Sequence, residues 1–209
     1  MRYLAALLLL ALVGCSGCAQ RDFPFPAGLP GIPLDLDPSI ALATVEGGGH
    51  ACAVGGHVLT ARHVMQDRQT RQYVAAAWSD GRGSEGFASV VVGHAALDIA
   101  LLDLMVTRGD GVVFLSRGEA KVGDRVYWFE YDFRTRPNAM RARRRVAKVL
   151  RIVAQHYILD DVPVGGASGS CLINEQGQAV GIVVAGYETT QDGLGVGIVA
   201  RLPEDLEYR

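Results

Sequence analysis

The chain has 209 residues, of which 49% are hydrophobic and 20% charged, with 26 glycines, 8 prolines and 4 cysteines. This composition excludes a disordered chain and a collagen-like repeat, and the length fits one globular domain or two small barrels that share a site. The formal charge is −2, from 20 Lys and Arg against 22 Asp and Glu. The overall charge therefore gives no support to a nucleic-acid partner, which is bound through an excess of basic residues.

Residues 1–14 have the layout of a secretory signal peptide. Arg2 gives a short basic start, and an apolar run rich in Leu and Ala follows over residues 3–13. The run is too short for a transmembrane helix, which needs about 20 apolar residues. The sequence therefore predicts export and an extracytoplasmic domain in which disulfides persist.

The signal segment ends in Leu-Val-Gly-Cys15, which resembles the lipobox of bacterial lipoproteins. The resemblance implies that Cys15 carries a lipid and becomes the first residue after cleavage. Ser16 in the next position implies the outer membrane in a cell that has one. Two alternatives stay open, namely an ordinary signal peptide cleaved near Ala19 and acylation of Cys18 instead.

Residues 15–38 are predicted to form a semi-extended tether, because proline removes a backbone donor and stiffens the chain. The prolines of this segment are Pro24, Pro26, Pro30, Pro33 and Pro38. The alternative is a segment wrapped on the domain surface, since it has apolar side chains that could pack there: Phe23, Phe25, Leu29, Ile32 and Leu34.

Short runs rich in Val and Ile recur over residues 39–209, with Gly, Asp and Asn between them, and predict an all-β sandwich or barrel. The runs cover residues 40–45, 51–54, 58–61, 73–78, 87–93, 99–105, 126–129, 146–153, 156–159, 171–173, 179–184 and 196–199. Only the tail predicts a short C-terminal helix over residues 203–208, with a proline at its start and Glu204 and Asp205 in its first turn.

Residues 141–148 contain five basic residues. We interpret this segment as a solvated strand face, with Arg141, Arg143 and Arg145 on one side at a period of two. The alternative is a patch for nucleic acid or anionic lipid, but no aromatic residues are interleaved.

Three motifs that could carry chemistry occur in order along the predicted strands. Thr-Ala-Arg-His63 ends one strand, Asp98-Ile-Ala-Leu-Leu begins another, and Gly-Ala-Ser168-Gly forms a glycine-rich turn. A serine hydroxyl is a poor nucleophile until an imidazole removes its proton, and a carboxylate that fixes the tautomer of the imidazole assists this step. A glycine-rich turn lets backbone N–H groups converge on the oxyanion that forms when the serine attacks a carbonyl.

With about 35 and about 70 residues between them, these motifs resemble those of the trypsin-like serine endopeptidases, especially short bacterial members such as the protease domain of the DegP/HtrA group. The resemblance covers roughly residues 39–202. It implies two packed six-stranded antiparallel β-barrels, with His63 and Asp98 in the first barrel, Ser168 in the second and the site in the cleft between them. We accordingly assign residues 39–209 to one trypsin-like protease domain.

The resemblance also implies a role for each residue of the site. Ser168 is the expected nucleophile, His63 the general base and then the general acid, and Asp98 the residue that orients His63. The backbone N–H groups of Gly166 and Ser168 are the expected oxyanion hole. In the digestive relatives, an Asp before the nucleophile pairs with the new amino terminus that zymogen cleavage creates, but this chain has Ala167 in that position. We therefore expect this protein to fold directly into its competent form or to be regulated by other means.

The remaining histidines match no motif of the family, and a structural role is expected for each of them: His50, His57, His94 and His156. In the family, the pocket for the residue before the scissile bond is built from segments that correspond here to about residues 162–164 and 183–186. Neither segment has an acidic residue, so we expect a small or medium apolar side chain in the pocket, and not Arg or Lys. A slip of one or two residues in this comparison would bring Asp160 or Asp161 into the pocket.

Cys52 and Cys171 are both expected near the cleft, where they could form a disulfide that joins the barrels; two buried thiols are the alternative. No Cys and His spacing resembles a zinc site, and we expect neither a metal nor a cofactor.

The sequence thus predicts a lipid-anchored, extracytoplasmic serine endopeptidase with protein or peptide substrates and an acyl-enzyme intermediate. A catalytically weak or inactive binding or scaffold lipoprotein of the same fold is the main alternative. A hydrolase of non-peptide esters is a third.

Overall fold

The computed structural model describes residues 39–43, 48–65, 72–77, 83–109, 112–131, 142–187 and 195–203. The predicted signal peptide, the tether, Cys15 and Cys18 lie outside the described residues, as do residues 204–209, which make up most of the predicted C-terminal helix. These remain predictions, as do the boundaries of the domain.

The described residues form β-strands and a single turn of 3-10 helix, η1 (Arg62–Val64). The strands of the first half are β1 (Ser39–Ala43), β2 (Gly49–Val54), β3 (His57–Ala61), β4 (Gln72–Ala77), β5 (Gly83–His94) and β6 (Ile99–Gly109). The strands of the second half are β7 (Arg125–Tyr131), β8 (Ala142–Val153), β9 (His156–Leu159), β10 (Cys171–Asn174), β11 (Ala179–Tyr187) and β12 (Val196–Arg201).

Each predicted run overlaps one of these strands, and the largest differences, of four residues each, are at the starts of β5 and β8 and at the end of β6. β8 begins at Ala142 because its backbone pairs with β7 from Tyr131↔Ala142 through Arg125↔Lys148. The ladder therefore continues through the basic residues, since its hydrogen bonds depend on the backbone and not on apolar side chains.

Two closed barrels result, with the strand orders β1-β2-β3-β6-β5-β4 and β10-β11-β12-β9-β8-β7. The strand pairs that close them are antiparallel throughout. The prediction of an all-β fold with two packed six-stranded barrels is confirmed.

The core is arranged so that the two barrels touch along β2 and β3. All six residues of β2 are buried, and the strand contacts β10 of the second barrel while β3 contacts β11. One continuous apolar cluster joins the interior of the first barrel to the face of the second, including Leu59, Ile99, Phe129 and Ile182. A separate cluster around Trp128, Tyr157 and Leu172 fills the interior of the second barrel. Apolar side chains on both faces of β2 therefore hold the barrels together.

The prediction of a solvated face for the basic segment needs a correction at Arg145. This side chain is only 34% exposed and donates to both carboxylate oxygens of Asp161, with Nη2 at 2.6 Å from Oδ1 and Nε at 3.0 Å from Oδ2. The neighbouring Arg144 is exposed and lies over the ring of Tyr127, 4.1 Å from its centroid. Arg141 and the side chain of Arg143 lie outside the described residues. Side chains alternate along β8, so Arg145 lies on the face that meets Asp161 and Arg144 lies on the exposed face.

In the part of the chain that the structure describes, no helix is long and apolar enough to cross a membrane.

Candidate active site

His63 lies in η1, the short turn that directly follows β3. The turn is attached to the segment before β6 through its backbone, because the Arg62 N–H donates to the Asp98 carbonyl oxygen at 2.7 Å and the His63 N–H donates to Asp98 Oδ1 at 3.0 Å. β3 and β6 are paired with Ala61 opposite Ile99, so the residues that follow one strand and precede the other meet at the same edge of the barrel.

Asp98 completes this arrangement with a side-chain contact. His63 Nδ1 lies 2.5 Å from Asp98 Oδ2. Because an ionised carboxylate only accepts hydrogen bonds, Nδ1 carries the proton, and in the neutral ring Nε2 is left as the basic nitrogen. The side chains are 50% and 35% exposed, so the imidazole is open to a molecule that enters the cleft.

The backbone of Asp98 has a left-handed conformation, with φ of 53°. Asp adopts this conformation more readily than most residues other than glycine, and such local strain tends to be kept at functional sites. Here it closes the turn through a 3.3 Å hydrogen bond from the Asp98 N–H to the Ala95 carbonyl, which directs the carboxylate back toward η1.

Ser168 lies in the loop between β9 and β10, just after a tight turn over residues 164–167. The Ala167 N–H donates to the Val164 carbonyl at 3.0 Å, and Gly166 in the third position has φ of 101°. A positive φ in this position is typical of a type II turn and favours glycine. Gly169, with φ of 90°, approaches the second residue of β2 so closely that a Cβ there would overlap the His50 carbonyl.

The N–H groups of Gly166 and Ser168 donate no hydrogen bond to any residue in the described ranges. Two unengaged N–H groups two residues apart on a glycine-rich turn are the donors that an oxyanion hole requires.

Both barrels hold the Ser168 turn in place. The His50 N–H donates to the Ser168 carbonyl at 2.7 Å, and His50 Nδ1 donates to the Gly166 carbonyl at 2.7 Å. From the second barrel, the Val183 carbonyl accepts the Gly169 N–H at 2.7 Å. The turn is therefore attached to β2 and to β11 at the same time.

The Ser168 and His63 turns meet at Gly49, the first residue of β2. A Cβ at Gly49 would lie 2.6 Å from Val64 Cγ1 and 3.1 Å from the Ser168 carbonyl oxygen, so both turns pack closely against this glycine. The Ser168 hydroxyl makes no hydrogen bond to a described residue, and the structure thus joins His63 to Asp98 but not Ser168 to His63. Catalytic contacts of this kind are often long before substrate binds.

Cys52 and Cys171 form a disulfide, with 4.8 Å between their Cα atoms. The bond joins β2 to β10 and so links the two barrels. Of the two alternatives that the sequence left open, a disulfide and a pair of buried thiols, the structure has the disulfide. Both residues are buried, and Cys171 follows Ser168 by three positions.

The sequence predicts only a structural role for His50, without its partners, and the structure shows what these partners are. Its ring is fully buried, and burial lowers its pKa to about 4 against a smaller opposing effect of the hydrogen bond to Gly166. The ring is therefore neutral at pH 7, with its proton on Nδ1, because the Gly166 carbonyl can only accept. No motif indicated this position, since its partners lie more than 100 residues further along the chain.

The two acidic residues near the expected specificity pocket are both engaged. Asp161 is paired with Arg145, whose pKa is raised mainly by hydrogen bonds to this carboxylate. Asp160 is exposed and accepts the Lys148 N–H at 2.7 Å.

Pro163 is buried against two glycines that face each other on β11 and β12. A Cβ at Gly186 would lie 3.1 Å from Pro163 Cδ, and a Cβ at Gly197 would lie 2.9 Å from the same atom. The space between the segment before Ser168 and these two strands is therefore occupied by the proline ring.

In the described ranges, no group of three or more His, Cys, Asp or Glu side chains could hold a metal ion.

The comparison with known families covers most of this site. A family model described as a trypsin-like peptidase domain matches residues 47–182. The chain belongs to this family. His63, Asp98 and Ser168 all lie within the matched residues, and membership of a trypsin-like peptidase family supports a peptidase.

Solved structures have the same trypsin-like fold. The MamO protease domain from Magnetospirillum magneticum has a TM-score of 0.61 and 20% identity, over 80% of this chain and 93% of that one. Deg5 has a TM-score of 0.63 and 15% identity, over 80% and 85% of the two chains. A serine endoprotease from Yersinia pestis has a TM-score of 0.61 and 20% identity, over 79% of this chain and 59% of that one. No curated protein sequence matches significantly.

Proposed function

We propose that the protein is a serine endopeptidase in which Ser168 is the nucleophile, His63 the general base and Asp98 the residue that orients the imidazole. The observation that carries the proposal is the 2.5 Å contact between His63 Nδ1 and Asp98 Oδ2, on a turn that packs beside the Ser168 turn. It fixes the one tautomer of His63 that can accept a proton from a serine.

The reaction proceeds in two halves. His63 Nε2 takes the proton of the Ser168 hydroxyl while Oγ bonds to the carbonyl carbon of the substrate, and the imidazolium then gives this proton to the leaving amine as the C–N bond breaks. In the second half, His63 takes a proton from water, the hydroxide attacks the acyl carbon, and the proton returns to Ser168 as the C–O bond breaks. The Asp98 carboxylate stabilises the imidazolium in both halves.

The N–H groups of Gly166 and Ser168 stabilise the oxyanion. The negative charge exists only in the tetrahedral intermediates and the transition states that lead to them, so donors directed at it lower the barrier more than they strengthen substrate binding. Their freedom from other acceptors among the described residues leaves them available for this role.

For the substrate, we propose a small apolar side chain before the scissile bond. Pro163 occupies the space beside Gly186 and Gly197, and the only carboxylates adjoining it in sequence belong to Asp160 and Asp161. Asp161 is neutralised by Arg145 and so is not free to pair with an Arg or Lys side chain. The buried carboxylate of Glu130 lies beside the same segment, and it accepts hydrogen bonds from the Trp128 Nε1–H and the Val164 N–H.

Cleavage-site profiling with a proteome-derived peptide library tests this preference. We expect Ala or Val before the cut in the wild type, and larger apolar residues in Pro163→Gly, because loss of the ring opens the space. Enrichment of Arg or Lys before the cut would refute the proposal.

We further propose that the protein is exported and anchored through a lipid on Cys15, on the strength of the signal segment and its lipobox-like end. Mass spectrometry of the protein from membranes should find the lipid mass on Cys15. The matched variants Cys15→Ser and Cys18→Ser separate the alternatives, because only the first should abolish acylation and release the protein from the membrane. Loss of the lipid in Cys18→Ser alone would instead assign Cys18.

The activity itself is tested by reaction with a fluorophosphonate probe, which phosphonylates an activated serine with loss of fluoride. We expect labelling at Ser168 that disappears in Ser168→Ala and falls steeply in His63→Ala. Ser116→Ala, which removes an exposed hydroxyl from the linker between the barrels, is the matched control and should label like the wild type. A folded protein that is not labelled at Ser168 would contradict the proposal and fit the scaffold alternative.

A further inference from the structure

His50 is a histidine of the first barrel whose hydrogen bonds go to the Ser168 turn of the second barrel. It lies in β2 and is 0% exposed. Nδ1 donates to the Gly166 carbonyl at 2.7 Å, and the backbone N–H donates to the Ser168 carbonyl at 2.7 Å. One residue thus binds the carbonyl groups of the two residues whose N–H groups form the candidate oxyanion hole.

These two bonds immobilise the peptide planes that follow Gly166 and Ser168. In the first plane, His50 holds the carbonyl and the Ala167 N–H is held by the Val164 carbonyl at 3.0 Å. In the second plane, His50 holds the carbonyl and the Gly169 N–H is held by the Val183 carbonyl at 2.7 Å. Because a peptide unit is planar, anchoring both ends leaves little rotation for the unit.

The turn needs this support because of its composition. Gly165 and Gly166 are adjacent, and glycine populates positive and negative φ about equally. The Gly166 N–H lies in the peptide unit before the one that His50 anchors, and the two units are joined by the dihedral angles of Gly166, whose φ is 101°. Without an anchor on the second unit, rotation about these angles could move the N–H away from the substrate carbonyl. The hydrogen bond from His50 selects one orientation.

His50 is itself held in place by the strand beside it. Thr60 Oγ1 donates to the His50 carbonyl at 2.6 Å, and Thr60 is also fully buried. Thr60 is the first residue of the motif that ends in His63, so one short segment of β3 supports both His50 and the general base.

We infer that His50 is a positioning residue that holds the oxyanion turn in its competent conformation through the Nδ1–H bond to Gly166, an inference that rests on the proposed serine peptidase function. The effect is exerted on the transition state, because the N–H groups that it orients bind the developing oxyanion. Loss of the bond should therefore lower kcat and leave KM nearly unchanged.

The test compares His50→Leu with His50→Asn in the purified full-length chain. Leu fills similar volume without a donor, whereas the side-chain amide of Asn places an N–H near the position of Nδ1. His50→Gln, whose donor lies further from the backbone, is a second variant without the Nδ1 contact in case the Leu variant does not fold. His156→Leu, at the hairpin between β8 and β9, is the matched control for loss of a histidine.

Two readouts are measured on each variant after thermal melts have verified folding. The first is kcat and KM for a p-nitrophenyl ester of a short apolar acyl group. The second is amide hydrogen exchange of Ala167 and Gly169, the two residues of the turn whose N–H groups donate hydrogen bonds, and this readout does not depend on catalysis. Removal of one oxyanion-hole donor costs about 10²–10³-fold in kcat. We expect about 10–100-fold for misplacement of the turn in His50→Leu, with KM within about twofold, faster exchange of the turn, and substantial recovery of both in His50→Asn.

Equal kcat in all variants, or equal losses in His50→Leu and His50→Asn, would overturn the inference. If the wild type neither hydrolyses the ester nor reacts at Ser168, the proposed function fails instead. The exchange data then decide the structural role by themselves: faster exchange in His50→Leu than in His50→Asn supports it, and equal exchange overturns it.

Discussion

In the first barrel, the turns that carry His63 and Asp98 hold each other through three hydrogen bonds of 2.5 to 3.0 Å, all within that barrel. In the second barrel, the Ser168 turn is held from both sides, by Val183 of its own barrel and by His50 of the other. The comparison indicates that the proposed base is positioned by strand pairing within one barrel, whereas the proposed nucleophile and oxyanion donors depend on how the barrels are docked. Changes in the interface should therefore affect the Ser168 turn before they affect the base.

Asp98→Asn disrupts the His63–Asp98 contact within the first barrel and has the largest expected effect. An amide can present an N–H to His63 Nδ1 and so favour the tautomer with its proton on Nε2, which cannot accept the serine proton. Replacement of the aspartate in a serine protease triad by asparagine lowers kcat about 10⁴-fold, and we expect a loss of this order in steady-state hydrolysis. A kcat within tenfold of the wild type would show that Asp98 does not orient the base.

Removal of the disulfide tests how far the Ser168 turn depends on the docking of the two barrels. Cys52 and Cys171 are 119 residues apart in the chain, and by loop-closure entropy a cross-link over a loop of this length stabilises a fold by about 5 kcal/mol. We expect the Cys52→Ala/Cys171→Ala variant to lose about this much free energy of unfolding in urea titrations.

NMR of the same variant follows the His63–Asp98 contact and the Ser168 turn separately. The downfield signal of the His63 Nδ1 proton should persist, while the hydrogen-bonded amides of Ala167 and Gly169 exchange faster. Loss of the His63 signal under conditions where the protein is folded would contradict the view that the base is organised within one barrel.

Acid should lower the free energy of unfolding through His50, which lies between the two barrels. Its folded pKa of about 4 lies below the ordinary value of 6.5, so the unfolded chain binds more protons than the folded one between these pH values. Stability from this group is therefore full above about pH 6.5 and is lost as the pH falls to about 4, and the difference amounts to about 3 kcal/mol.

The measurement is the free energy of unfolding of the wild type and of His50→Asn at pH 7 and pH 4.5. The variant has no titrating group at this position, so its stability should fall less over the same interval. Parallel losses in the two proteins would show that His50 does not couple pH to folding.

Arg145→Gln has the smallest expected effect, because it changes neither half of the site directly. The pair with Asp161 is bidentate but about a third exposed, and a pair of this kind contributes about 1 kcal/mol. We expect a loss of that size in thermal melts and an unchanged reaction rate of Ser168 with the fluorophosphonate. A large fall in that rate would mean that the segment before Ser168 depends on this pair.

The strands could be located from the sequence because each is a short apolar run bounded by turn residues, and such runs are set by local preferences. The boundaries were less accurate where a strand continues through polar residues. The basic start of β8 is an example, since the ladder with β7 depends on the partner strand and not on the side chains of β8. The same holds for Arg145, whose half-buried position follows from Asp161, 16 residues further along the chain.

The candidate site divides in the same way. His63, Asp98 and Ser168 could be named from motifs because the chemistry of acyl transfer restricts residue types within short segments. His50 could not, because its role comes from contacts across 116 and more residues that exist only after both barrels have closed. The close approach of Pro163 to Gly186 and Gly197 likewise requires that β11 and β12 already be paired.

The sequence by itself determined the strand-rich composition of the domain and the residues suited to acyl transfer, since periodicity and motif chemistry act over a few neighbouring residues. Only the tertiary structure decided which strands close each barrel, that Cys52 pairs with Cys171, and that a buried histidine of one barrel holds the nucleophile turn of the other. These features depend on atoms that are distant in the chain and become neighbours only when the two apolar faces along β2 are buried together.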